Sequence, residues 1–212
     1  TESQDAATKA YVDVLKNQIE VLQTQIQDMQ ISQGIYTFQD IEGNVYNTVK
    51  IGEQVWMAEN LNVDRFCNGD SIPEAKTWED WKQYSVNKQP AWCYYENDPK
   101  NGEKYGKLYN WYAVAGIHDN EVTTPNKEFA PEGWHVPTDA EWSTLENHLI
   151  APEYNYDGTT TEDKIAKSMA ATTGWDERTD EGVPGNNSIT NNTSGFNAYP
   201  VGFRSNNGVF VN

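Results

Sequence analysis

The sequence predicts an α+β domain preceded by a helix that assembles with copies of itself. Three observations carry this expectation: a heptad seam near the N-terminus, short alternating runs separated by Gly-containing turns after Gly34, and capped amphipathic segments further along. The change of period sets the boundary, with a stalk over 1–34 and a domain over 35–212.

In the first segment the apolar residues Val12, Leu15, Ile19, Leu22, Ile26 and Met29 recur at alternating spacings of three and four. This is the repeat of a coiled-coil core, with branched residues at one core position and Leu or Met at the other. The flanking positions Lys16, Gln18, Gln23, Gln25 and Gln30 are polar, and Gly34 is the first helix stop. A helix of this length is marginal alone in water, so the seam is expected to be covered by copies of itself. The core residues suit two strands, whereas fibre stalks of this look are more often three-stranded. A trimer is expected over a dimer.

Beyond Gly34, Tyr36 to Ile41, Val45 to Ile51 and Gln54 to Ala58 read as strands joined at Glu42-Gly43-Asn44 and Gly52-Glu53. Thr77 with Asp80 caps a short helix that places Trp78 and Trp81 on one side. Thr138 with Glu141 forms a capping box, followed by Trp142, Leu145 and Leu149 on one face. A third helix is expected over Glu162 to Ala171, with Ile165 and Met169 inward and Gly174 ending it. Asp176 to Ser194 reads as a long polar loop.

Composition narrows the partners. With 15 Lys+Arg against 32 Asp+Glu the formal charge is -17, which speaks against nucleic acid, because phosphate binding needs clustered basic residues. Only six Leu and six Phe stand beside eight Trp and twelve Tyr, so the core is expected to be aromatic. No apolar run is long enough to span a membrane. The chain opens on Thr without a charged and apolar leader, as a fragment or processed form would.

Catalytic and metal motifs are sparse. His118, His135 and His148 lie in unrelated contexts, without the spacing of a zinc site. Cys67 and Cys93 fit either one local disulfide or two free buried thiols, and neither sits in a nucleophile signature. Two acidic stretches, Glu96-Asn97-Asp98 with Asn101 and Glu103, and Asp157-Gly158 with Glu162-Asp163, carry oxygen ligands of the kind Ca²⁺ takes, without the calcium-hand spacing. Solvated turns are the plainer reading, and no cofactor is expected. Aromatic density is the remaining signal. Trp92, Tyr94 and Tyr95, beside Asn97 and Asp98, form the candidate ligand-facing group, since rings next to polar side chains are how sugar faces are commonly bound. In a chain this poor in Leu most such rings are needed as core.

Four strings resemble the Fibrobacter succinogenes major paralogous domain, a family of Bacteroidetes, related bacteria and their phages. They run from Val49 to Leu61 (VKIGEQVWMAENL), Tyr105 to Ala113 (YGKLYNWYA), Gly133 to Trp142 (GWHVPTDAEW) and Gly195 to Arg204 (GFNAYPVGFR). The resemblance implies a C-type-lectin-like fold, related to formylglycine-generating enzymes and to the variable proteins of diversity-generating retroelements. Members are mostly secreted or surface-displayed. They usually continue past the Gly-Phe-Arg segment through a Trp-Ser-Ser string to a final Arg-Cys-Val-Arg, so a domain truncated at its C-terminus is expected.

The expected function is non-enzymatic: a trimeric stalk presenting lectin-like heads for attachment to a host-surface glycan or protein receptor. A phage tail fibre or other virion appendage is the first setting. An extracellular bacterial adhesin is the alternative, and a formylglycine-generating type of enzyme a distant third. The animal-lectin strings that coordinate sugar through Ca²⁺ do not occur, so any glycan binding is expected to survive chelation.

Overall fold

The computed structural model describes residues 37–119, 121 and 123–211, together with 9, 11–19, 21, 22 and 25 toward the N-terminus. The chain forms two compact units, Thr1–Thr37 and Phe38–Asn212. In the first, residues 11–19 are helical (α1), with Val12, Leu15 and Ile19 exposed, as is Leu22 just beyond. Ile26 and Met29 lie outside the described residues.

The second unit is a mixture of short helices and small sheets, as an α+β reading requires. It opens with an antiparallel meander of β1 (Thr37–Gln39), β2 (Val45–Ile51) and β3 (Gln54–Met57). The β1–β2 turn is organised by the buried Asp40 carboxylate, which accepts from Glu42 N at 2.8 Å, Asn44 N at 3.0 Å and Tyr46 Oη at 2.9 Å. The β2–β3 turn needs Gly52, whose φ is +62 and whose place a side chain would contest with His148.

Both Thr caps form. Thr77 and Asp80 close a capping box on α2 (Trp78–Val86), and Thr138 and Glu141 close one on α5 (Asp139–Leu149). On α2 the two tryptophans part company: Trp81 is buried, while Trp78 is 54% exposed. Three residues cover less than one helical turn, and the core covers one side only. Between these helices lie β4 (Trp92–Cys93), α3 (Pro99–Tyr105), β5 (Leu108–Tyr109) and α4 (Trp111–Val114). After α5 comes α6, a single turn over Ala166–Met169, shorter than the helix expected across 162–171. Ile165 is its buried N-cap, and Ala170 leaves the helix to bridge Ala198, so β-type pairing displaces the next turn. The hairpin of β6 (Phe203–Arg204) and β7 (Phe210–Val211) closes the unit.

The core has three aromatic-rich parts. Ile51, Trp56, Leu145, Leu149 and Ile165 form one, with Phe196 against it. Phe66, Ile72, Trp92 and Ala113 form the second, and Ala75, Trp81, Ala91 and Cys93 the third. The polar stretch after Asp176 is irregular but anchored: Asn191 Nδ2 donates to Ala171 O at 3.0 Å and Pro184 O at 2.9 Å, and Lys167 Nζ donates to Asn186 O.

Candidate functional site

The expected ligand-facing group is largely built into the domain. Trp92 is 6% exposed, and its indole N–H donates to Ile72 O at 2.9 Å, which removes it from any surface. β4 runs through the core, so its aromatic residue packs there. Tyr94 meets Trp92 edge-on, and Tyr95 meets Phe210 edge-on. Asn97 accepts from Arg204 Nη1 at 3.2 Å, and Asp98 caps α3 by accepting from Lys100 N at 3.0 Å. The five residues share a strand, a turn and a helix cap; Asn97 and Asp98 keep exposed edges.

Cys67 and Cys93 are both free, correcting the expectation of a bridge. Cys93 is buried against Ala75, Trp81 and Ala91, with Arg204 beside it. Cys67 is half-buried at the mouth of a shallow cleft of about 470 Å³ shared with Asn68, His118, Pro125, Asn126, Lys127 and Glu128. Burial, with Glu128 and Glu132 nearby, pushes its thiol above the ordinary range, which keeps it protonated and a weak nucleophile. Among the described residues no three His, Cys, Asp or Glu side chains gather as a metal site. Asp157, in the second acidic stretch, is taken by Thr159 and by Lys164 Nζ at 2.7 Å. His135 donates to or accepts from Glu141 at 2.7 Å, which ties it to the cap of α5, and His148 packs on Tyr154.

A polar constellation absent from the sequence expectations lies at the 61–64 segment. Four side chains hold its peptide groups in turn. Tyr109 Oη donates to Val63 O at 2.7 Å, Lys107 Nζ donates to Asn62 O at 3.0 Å, Asn62 N donates to Tyr46 Oη at 3.0 Å, and Asp64 N donates to both oxygens of Glu42. Lys107 Nζ also lies over the Trp92 ring, 4.4 Å from its centre. Desolvation, aided by Asp64, raises Glu42 from 4.5 to about 7, and desolvation lowers Lys107 from its usual value. Asn62 Oδ1 is buried with no hydrogen-bond partner. Nothing in the sequence marked this group, because residues 42, 46, 62 and 107 converge only through the meander and β5.

The four strings that carried the resemblance also converge. Trp56 packs on Trp142 and Phe196 at 4.8 and 5.8 Å, Asn60 Nδ2 donates to Tyr105 O at 2.9 Å, and Asn197 Nδ2 donates to Ala58 O at 3.3 Å. They mark an architectural junction. Comparison with curated proteins and with solved structures finds no match. The sequence signature of the Fibrobacter succinogenes major domain matches residues 49–212, the span that holds all four strings. The chain therefore belongs to the Fibrobacter succinogenes major domain family.

Proposed function

We propose that this chain is a non-enzymatic attachment protein in which a self-associating stalk presents family heads to a host surface. The observation that carries the reading is the exposed seam of α1: Val12 is 41%, Leu15 39%, Ile19 53% and Leu22 55% exposed, at heptad spacing. Each such side chain gains roughly 1.5–3 kcal/mol on full burial, which a parallel copy supplies. A trimer is the proposed assembly, and a C-type-lectin-like arrangement the proposed class of the head. Weak contacts from several heads then add through avidity.

The proposed setting is a virion tail fibre, on the similarity in style of the Asp5 to Asp13 segment and the following seam to phage stalks. An adhesin on a bacterial surface is the alternative, and immunogold labelling of particles against cells separates the two. Sedimentation of the chain with and without residues 1–33 tests the stalk. A trimer that becomes a monomer on truncation is expected; a monomer in both cases overturns the reading. A glycan array run with and without EDTA tests the head, with chelation expected to leave any binding unchanged.

A further inference from the structure

We propose that Lys107 and Asn62 become joined by an intramolecular isopeptide bond between Lys107 Nζ and Asn62 Cγ. The inference is independent of what the fibre carries or binds. Four features of the 61–64 segment meet at this pair. The amine stands 3.0 Å from the main-chain oxygen of Asn62, so the side-chain Cγ of the same residue lies within reach of one staggered χ1 change. Both partners are pinned: Asn62 N to Tyr46 Oη, Lys107 N to Leu61 O at 3.4 Å, and the flanking Val63 O to Tyr109 Oη. Asn62 Oδ1 is buried and unpaired, an amide carbonyl with no hydrogen bond to resist attack. The Trp92 face and two buried phenols keep water from competing.

The titration behaviour suits the same step. Burial weakens the amine as a base, although Asp64, Glu42, Asp40 and Glu74 all act on it in the opposite sense. Glu42, at about 7, exchanges protons near neutrality. The Lys107 ammonium gives a proton to the Glu42 carboxylate, and the freed lone pair attacks Asn62 Cγ. The new C–N bond forms, the Cγ–Nδ2 bond breaks, and the proton held by Glu42 passes to the departing nitrogen. One amide is consumed and one is made. Nitrogen leaves as ammonia, carrying the surplus lysine proton as ammonium, and no oxidant or other reactant is required.

Intact-mass spectrometry of the full chain tests this. The wild type is expected about 17 Da below the mass of its sequence, with a branched peptide linking residues 62 and 107 after digestion. K107R is expected to restore the full mass. N62D is expected to lose water instead and reach the same final mass as the linked wild type. E42Q is expected to slow the loss at least tenfold. Cyclisation at Asn68-Gly69, Asn101-Gly102 or Asn207-Gly208 also expels ammonia, but that loss persists in K107R and leaves no branched peptide. Full mass in the wild type after prolonged incubation, or a deficit unchanged in K107R, overturns the proposal.

Discussion

Arg204 shows how one residue can close a domain. It is 7% exposed and no carboxylate faces it; its guanidinium donates to Gly208 O, Ala75 O, Asn97 Oδ1 and Thr77 O, between the rings of Trp81 and Phe210. A planar fork can serve that many acceptors at once, and an ammonium cannot. R204K is therefore expected to cost about 2 kcal/mol or more, read as a lower urea midpoint, because buried carbonyls lose their donors. Glu42 makes a different prediction. Its folded value of about 7 lies above the ordinary 4.5, so the stability it contributes is complete below 4.5 and is lost as pH rises through about 7. Urea midpoints are expected to fall across that window in the wild type and to stay level in E42Q. A wild-type profile that matches E42Q would remove Glu42 as the cause.

Among the elements, α5 separates packing from capping. Leu145 is fully buried, so L145A is expected to destabilise by roughly 2–5 kcal/mol, whereas T138A removes one cap and is expected to cost about 1 kcal/mol. Equal losses in thermal or urea unfolding would mean that the helix is held by its cap and not by the core. The same element shows what was legible in the sequence. Capping boxes and tight turns depend on residues three or four apart, so Thr77, Thr138 and Gly52 announced α2, α5 and the β2–β3 turn within a residue or so. The extent of α6 was not legible, because its end is set by Ala198, far away in the chain. Nor was the fate of Trp92. A ring flanked by polar residues reads as surface until Ile72 and Phe66 are known to cover it.

For the whole molecule, charge and seam act against each other. Each copy brings a formal charge of -17, so assembly gathers like charges while it buries α1. Raising salt from about 0.05 to about 0.5 M shortens the screening length to a few ångströms and is expected to raise the oligomeric fraction in sedimentation. Loss of association at high salt would point instead to ion pairs as the holding force. The junction of the four family strings has a consequence of another kind, in time. Trp81 is fixed by Ser205, Arg204 by Ala75 and Thr77, and Ala58 by Asn197, pairs that are 124, 129, 127 and 139 residues apart. Such distant closures are slow, since the loop entropy is lost before the contact is gained. During synthesis the early meander and α2 leave the ribosome with their partners still unmade, and residues 195–205 complete the cage last. A chain halted before Arg204 would expose the faces of Trp56 and Trp81 together, so the step most vulnerable to aggregation is the wait for its last ten or so residues.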